Sequence, residues 1–137
     1  MKVLLVSHAY MAKGVKSSVE LILGPQENLF AMAAYVDQEA PFEKDIMKFL
    51  EENKNDKLVI ISDLFGGSVN NELMKLVADK ENVILITGMN LILVMSVLLA
   101  SEDTIDDEID EIIENSKKGI LKCLVSDIEA DVELDDF

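Results

Sequence analysis

The sequence predicts a single α/β domain, with a mostly parallel central sheet of about four strands and helices on both faces. Short, nearly continuous apolar runs recur along the chain, and segments with helical apolar spacing lie between them. Apolar runs of this kind are typical of strands buried on both faces, as in parallel sheets. With 137 residues, of which 50% are hydrophobic, the chain has the size and composition of one compact domain.

The predicted strands share an apolar composition. They cover residues 2–7, 29–36, 58–62 and 83–87, with a fifth candidate at residues 120–125. Residues 83–100 contain no charged side chain, which is also the pattern of a membrane span. Because Gly88, Met89 and Asn90 interrupt this stretch, we interpret it as a strand, a turn and a core helix.

The predicted helices have apolar residues spaced three and four apart and residues that favour helix ends. They cover residues 15–23, 41–52, 70–80 and 104–119, together with the apolar stretch after Asn90. Gly24 and Pro25 are expected to end the first helix, and Pro41 suits the first turn of the second. Thr104 and Asp107 resemble a capping box, which predicts the start of the last helix.

The charge balance limits the classes of partner. The chain has 27 acidic residues against 12 basic residues, all of them lysines, and a formal net charge of −15. This charge disfavours nucleic acid and anionic membranes, and it favours solubility or steering toward a basic protein partner. Residues 126–137 contain acids but no lysine, so we expect an acidic C-terminal tail outside a domain at residues 2–125.

Other absences narrow the chemistry further. Without arginine, bidentate guanidinium binding of a phosphate is excluded. Cys123 is the single cysteine and lies in an apolar run, so we expect a buried small hydrophobe rather than a disulfide or zinc ligand. The apolar residues before His8 are too few for a secretory signal.

Two polar residues follow predicted strands. His8 comes directly after the first strand, and Asp63 comes directly after residues 58–62. Because parallel strands end at the same edge of a sheet, the imidazole and the carboxylate could meet there. A carboxylate on one imidazole nitrogen fixes the tautomer that leaves the other nitrogen nucleophilic. The alternatives are a structural histidine and an aspartate that caps a loop or helix.

The loop after Asp63 has the composition of an anion-binding turn. Gly66 and Gly67 allow backbone N–H groups to approach a phosphate, Ser68 supplies a hydroxyl, and a predicted helix follows near Asn70. The loop lacks the Gly-Lys-Ser/Thr ending of nucleoside-triphosphate loops, and no metal-ligand cluster is evident. We therefore expect no metal or cofactor, and transfer of a phosphoryl group already activated on another molecule.

The chain contains the segments VSHAYMAKGVKSSVELILGPQEN, IISDLFGGSVNNELMKLV, ITGMNLILVMSVLL and IIENSKKGI. Together they resemble the IIA domain of the mannose-type permeases of the bacterial phosphoenolpyruvate-dependent sugar phosphotransferase system, over residues 2 to about 122. The resemblance implies a cytoplasmic phosphotransferase that associates with membrane permease components. It also implies a homodimer that exchanges a C-terminal edge strand, which would be residues 120–125 here.

The resemblance assigns roles to individual residues. His8 would accept phosphate on Nε2 from the phosphocarrier protein HPr and pass it to a IIB protein or domain. Asp63 would orient the imidazole, and Ser68 would contact the phosphoryl group. Met11, Leu64 and Phe65 flank this site, either as an apolar docking surface or, for Leu64 and Phe65, as core residues.

Three positions depart from the family pattern. Ala9 replaces the usual glycine after the histidine, and Val69 and Ile92 replace prolines. Alanine in a left-handed conformation costs about 1–2 kcal/mol, so Ala9 predicts either ordinary dihedral angles or local strain. Loss of a compatible proline typically costs about 0.4–1 kcal/mol. None of these departures removes a reacting atom.

Two alternative functions remain open at this level. Asp63 could be the phosphoacceptor of a receiver-like switch, although Ser7 and His8 stand where such domains need acids for magnesium. The chain could also be a non-catalytic regulatory module that binds partners when phosphorylated. A phosphoryl group that is stable in acid would indicate the aspartyl phosphate of the first alternative. A phosphohistidine that is never transferred to a IIB protein would indicate the second.

Overall fold

The computed structural model describes residues 1–37 and 41–126. Four strands in this part of the chain match the predicted ones closely: β1 (Lys2–His8), β2 (Leu29–Ala34), β3 (Leu58–Ser62) and β4 (Val83–Thr87). The helices are α1 (Met11–Leu23), α2 (Phe42–Glu52), α3 (Ser68–Val77), α4 (Leu91–Leu99) and α5 (Ile105–Lys117). The predicted α/β fold is therefore confirmed.

The strands form one parallel sheet in the order β2-β1-β3-β4. The chain runs from β1 to β2 on one side and then crosses over to β3 on the other side of β1. In parallel sheets, such a reversal opens a crevice at the carboxyl ends of the two central strands. His8 ends β1, opposite Ala34 of β2, and Ser62 ends β3 immediately before Asp63.

The core lies on both faces of the sheet, as continuous apolar strands require. Val3 and Leu5 of β1 belong to the cluster formed with α1, α4 and α5. Leu4 and Val6 belong to the opposite cluster, with α2 and α3. All four side chains are buried, so β1 is the centre of the molecule and its last residue is held on a rigid support.

The stretch 83–100 is a strand, a turn and a helix, as predicted. Gly88 has φ +94° in the turn between β4 and α4, a conformation that favours glycine. Val94 and Val97 of α4 are completely buried in the core. Within residues 1–37 and 41–126, no helix is long and apolar enough to cross a membrane.

Two helices begin earlier than their apolar spacing predicts. Helix α1 begins at Met11 rather than residue 15, because the buried Ser7 hydroxyl accepts a hydrogen bond from Ala12 N at 2.7 Å. Helix α3 begins at Ser68 rather than Asn70 and ends at Val77. The start of α3 therefore lies directly at the glycine loop.

The predicted capping box at the start of α5 is wrong. Thr104 has helical dihedral angles (φ −115°, ψ −7°), and its side chain caps no N–H group of the helix. Its hydroxyl lies 3.5 Å from Ser101 O instead, as part of the preceding turn. Helix α5 begins at Ile105, which is completely buried and anchors the helix to the core.

Residues 120–124 form no strand in the single chain. The predicted burial of Cys123 is wrong, because this segment does not pair with the sheet and the side chain is exposed. Exchange of residues 120–125 between two copies stays a prediction. The expected acidic tail, residues 126–137, lies outside the described residues except for Ser126.

Candidate functional site

The side chains of His8 and Asp63 meet at the carboxyl ends of the central strands β1 and β3. Asp63 Oδ2 lies 2.6 Å from His8 Nδ1 and 2.8 Å from the backbone nitrogen of His8, which donates to it. The sequence predicted this juxtaposition from the ends of two parallel strands. One carboxylate oxygen thus fixes both the backbone and the ring of the histidine, which limits rotation of the imidazole.

The environment keeps Asp63 ionised. Its side chain is only 8% exposed, and burial raises the pKa of the carboxyl group. The hydrogen bonds from His8, and one from Leu64 N to Oδ1 at 3.0 Å, outweigh burial and hold the pKa below its ordinary value. A charged Asp63 favours a proton on Nδ1 of His8 and leaves a lone pair on Nε2.

The second ring nitrogen of His8 faces a polar, accessible space. The histidine side chain is 42% exposed, and Nε2 lies 3.3 Å from Ser68 Oγ. Ser68 is the first residue of α3, where backbone N–H groups have no partner within the helix. These features bring a nucleophilic nitrogen, a hydroxyl and the positive end of a helix together.

The glycines shape this end of α3. Gly66 has φ +79°, the left-handed conformation that favours glycine. A Cβ atom on Gly67 would lie 3.0 Å from Leu64 Cδ2, so the Leu64 side chain would have to move by a few tenths of an ångström to accommodate a larger residue. Gly67 is the N-cap residue of α3 and has no side chain that could accept hydrogen bonds from the first N–H groups of the helix.

A buried hydrogen-bond network connects the glycine loop to the sheet. The Ser62 hydroxyl donates to Asn70 Oδ1 at 2.7 Å, and Thr87 Oγ1 lies 2.8 Å from the same hydroxyl. Ser62 and Asn70 are both buried. The network therefore ties the carboxyl ends of β3 and β4 to the first turn of α3, and with it the position of Ser68.

The turn after His8 is strained. Ala9 has φ +49°, so the second of the two expectations for this position, local strain, holds. Its backbone nitrogen donates to Ala34 O at 2.9 Å, which continues the pairing of β1 with β2 past the histidine. The side chains at the other two departures pack against the rest of the protein. Val69 is completely buried. Ile92 packs so closely on Gly119 that a Cβ atom at position 119 would collide with Ile92 Cδ1.

Tyr35 is a further residue of the site, which no sequence pattern indicated. Its hydroxyl donates to Ser68 Oγ at 2.9 Å, and its ring centroid lies 5.5 Å from that of His8. Tyr35 also has a positive φ, +65°, which ends β2 before the predicted residue 36. The only signal was its place at the end of a strand, and a lone tyrosine there indicates no particular chemistry.

Exposed apolar side chains lie beside the polar site residues in the chain. Met11, Leu64 and Phe65 are 46%, 51% and 77% exposed, so the core interpretation of Leu64 and Phe65 is wrong. Leu64 and Phe65 lie in the loop that carries Asp63 and the glycines, and Met11 begins α1. Large exposed side chains next to a polar site are typical of surfaces that contact another protein.

Comparison with known proteins identifies the class. The fold is that of an α/β protein with a polar site at the carboxyl edge of a parallel sheet. The sequence profile of a family described as "PTS system fructose IIA component", EIIA-man, matches residues 2–117. The chain belongs to this family, the mannose-type IIA components of the sugar phosphotransferase system, so its general function is phosphoryl transfer in sugar uptake.

Two curated relatives agree with this membership. The sorbose-specific EIIA component of Lacticaseibacillus casei is 27% identical over 139 residues, which cover 100% of both chains. The mannose-specific EIIAB component of Escherichia coli K12 is 25% identical over 129 residues, or 90% of this chain. This chain spans only 39% of the length of that second relative.

Solved structures share the fold. A putative phosphotransferase-system permease from Klebsiella pneumoniae is 34% identical, with a TM-score of 0.83 over 89% of this chain and 90% of that one. The EIIA component from Streptococcus agalactiae is 27% identical, with a TM-score of 0.71 over 88% and 95% of the two chains. The predicted resemblance to mannose-type IIA proteins is therefore confirmed.

Proposed function

We propose that Nε2 of His8 accepts a phosphoryl group from phosphorylated HPr and passes it to a IIB protein or domain of a mannose-type sugar permease. The observation that carries this proposal is the 2.6 Å contact between His8 Nδ1 and Asp63 Oδ2. Because Asp63 occupies Nδ1, the nitrogen left for chemistry is Nε2, on the exposed side of the ring. A neutral imidazole in this tautomer is a competent nucleophile.

The reaction needs no change of proton count at the histidine. The Nε2 lone pair forms a bond to phosphorus, the bond between phosphorus and the donor nitrogen breaks, and its electron pair stays on the donor. The His8 ring becomes a cation that keeps its proton on Nδ1. The Asp63 carboxylate stabilises this cation, and the reverse sequence of bonds passes the group on to the IIB acceptor.

The loop offers partial positive charge for the phosphoryl oxygens. Ser68 Oγ lies 3.3 Å from Nε2, and the N–H groups at the start of α3 follow Gly66 and Gly67 directly. We assign phosphate binding to Gly66, Gly67 and Ser68. Such N–H groups neutralise a phosphoryl group without a cation, which suits a chain without arginine.

Partner proteins would contact the exposed apolar side chains next to the site. Met11, Leu64 and Phe65 provide the exposed apolar area, and the net charge of −15 would favour partners with a basic surface. The name of the E. coli relative, an EIIAB component, supports a IIB protein as the acceptor. The protein would act in the cytoplasm, next to membrane-bound permease components.

The receiver-like alternative fits the geometry poorly. Both oxygens of Asp63 accept hydrogen bonds, Oδ2 from His8 and Oδ1 from Leu64, and the side chain is only 8% exposed. A phosphoacceptor carboxylate needs a free, accessible oxygen. The regulatory alternative shares the phosphorylated His8 and differs only in the absence of transfer to a IIB protein.

The test is phosphorylation from phosphoenolpyruvate with purified HPr and its upstream kinase. We expect one phosphoryl group per chain, labile in acid and stable in alkali, as a phosphohistidine is. Addition of a mannose-type IIB protein should then remove the label from this chain.

The His8→Ala variant is the control, and it should take up no label. Label on this variant, or a label that hydroxylamine and alkali release, would refute the proposal. Loading without transfer to any IIB protein would favour the regulatory alternative.

A further inference from the structure

We infer that Tyr35 is a positioning residue of the phosphotransfer site, which fixes the direction of the Ser68 hydroxyl. This inference rests on the proposed function and adds a residue to it. Tyr35 lies just beyond the end of β2, on the opposite side of His8 from Asp63's strand β3. It contacts both His8 and Ser68, although it is far from each in the sequence.

The backbone of Tyr35 is held in an unfavourable conformation. A φ of +65° in a residue with a side chain costs free energy, and such residues concentrate at functional sites. Packing supplies the support: the Tyr35 ring lies edge-on to Phe42, with centroids 5.3 Å apart and planes at 78°. Yet the side chain stays 56% exposed, so burial of the ring does not explain why the conformation is kept.

What the conformation achieves is a contact between two hydroxyl groups. The Tyr35 hydroxyl donates to Ser68 Oγ at 2.9 Å, and Ser68 Oγ lies 3.3 Å from His8 Nε2. A serine hydroxyl has one proton to donate. Because the Tyr35 hydroxyl donates to Ser68 Oγ, the one proton of Ser68 stays available for an acceptor beside His8, which is the Nε2 lone pair in the free chain and a phosphoryl oxygen once Nε2 reacts.

The result is a hydrogen-bond chain with a single direction. It runs from Tyr35 through Ser68 to Nε2 of His8, and from Nδ1 of His8 to Asp63. When Nε2 forms its bond to phosphorus, the Ser68 proton turns to a phosphoryl oxygen beside the ring. Tyr35 keeps its own proton throughout and continues to donate to Ser68, so it is neither acid nor base in the transfer.

The Tyr35→Phe variant tests this role, because it keeps the ring and its packing and removes only the hydroxyl. We expect the initial rate of loading from phosphorylated HPr to fall about 3- to 10-fold, the usual effect of losing one hydrogen bond. The matched control is Tyr10→Phe. Tyr10 is 64% exposed and has no hydrogen bond through its hydroxyl within the described residues, so its variant should load at the wild-type rate.

A double-mutant cycle with Ser68→Ala separates positioning from general packing. If Tyr35 acts through Ser68, Tyr35→Phe should slow loading in the wild-type background and have no further effect in the Ser68→Ala background. The ³¹P resonance of the phosphorylated chain should also shift in Tyr35→Phe and stay unchanged in Tyr10→Phe. Thermal unfolding of each variant verifies that the fold is intact.

The outcomes distinguish this inference from the proposed function. Absence of loading in the wild-type chain would overturn both. A wild-type chain that loads normally, together with an equally fast Tyr35→Phe variant, would overturn only the role of Tyr35. An equal slowing by Tyr35→Phe with and without the Ser68 hydroxyl would also reject it, because the effect would then not pass through Ser68.

Discussion

At the scale of single residues, the site is a histidine whose two ring nitrogens have different neighbours. Nδ1 contacts the buried Asp63 carboxylate, and Nε2 lies toward Ser68 and solvent. The sequence places His8, Asp63 and Ser68 at one edge of the sheet, because His8 and Asp63 follow predicted strands and Ser68 lies in the glycine loop; their roles in the transfer stay predictions. Tyr35 could not be predicted, since its contacts with His8 and Ser68 accompany a left-handed backbone conformation, φ +65°, that its place in the sequence does not indicate.

Replacing Asp63 by asparagine tests the division of roles within this pair. We expect Asp63→Asn to lower the rate of loading about 10- to 150-fold, the effect of losing a hydrogen bond to a charged group. The amide cannot stabilise the cation that forms on phosphorylation. The rate is measured from phosphorylated HPr under single-turnover conditions.

The control for this variant is Asp110→Asn, a change of the same kind at an exposed position of α5. It should load at the wild-type rate. If Asp63→Asn also loaded at that rate, Asp63 would have no part in orienting or stabilising the histidine.

At the scale of elements, the turns position the site more than the helices do. Ser7 illustrates this: its buried hydroxyl accepts from Ala12 N and lies 3.3 Å from Ala9 O, so it closes the turn between β1 and α1. Apolar periodicity cannot detect such a contact, which is why the start of α1 was predicted too late. The elements themselves were predictable, because uninterrupted apolar strands and amphipathic helices leave few alternatives.

Ala9 allows a direct test of strain in that turn. We expect Ala9→Gly to increase the free energy of unfolding by about 0.5–1 kcal/mol, because glycine adopts φ +49° without the steric penalty of a Cβ atom. Urea unfolding measures the change.

Ala78→Gly is the matched comparison. Ala78 is exposed and follows the last residue of α3 with helical dihedral angles (φ −55°, ψ −31°), where a Cβ atom causes no strain, so the same substitution should not increase stability. A destabilised Ala9→Gly variant would show that the alanine is not strained in solution.

At the scale of the whole molecule, the sheet order accounts for the position of the site. His8 and Asp63 are brought together because β1 and β3 are the adjacent central strands of the sheet, and both end at the same edge. The outer strand β4 has β3 as its one neighbour in the described chain. Ile120, Leu121 and Leu124 are 82%, 64% and 53% exposed in the single chain, which is a large apolar surface for so short a segment.

We expect two copies to exchange residues 120–125, as the family resemblance implies, and to cover this apolar segment. Sedimentation equilibrium should give the mass of a dimer for the full chain. Leu121→Asp should shift the mass toward the monomer, because the charge would be buried in the interface. Leu21→Asp, at an 88% exposed position on α1, should leave the dimer intact. A monomeric wild-type chain would refute the exchange.

Phosphoryl transfer through His8 depends on one nitrogen atom, Nε2. In the chain phosphorylated by HPr and labelled with ¹⁵N in its single histidine, NMR can detect the coupling between ³¹P and the ring nitrogen that carries the phosphoryl group. Transfer through Nε2 predicts coupling to that atom, with Nδ1 still protonated against Asp63. Coupling to Nδ1, or a phosphoryl group found on Asp63 or Ser68, would contradict it.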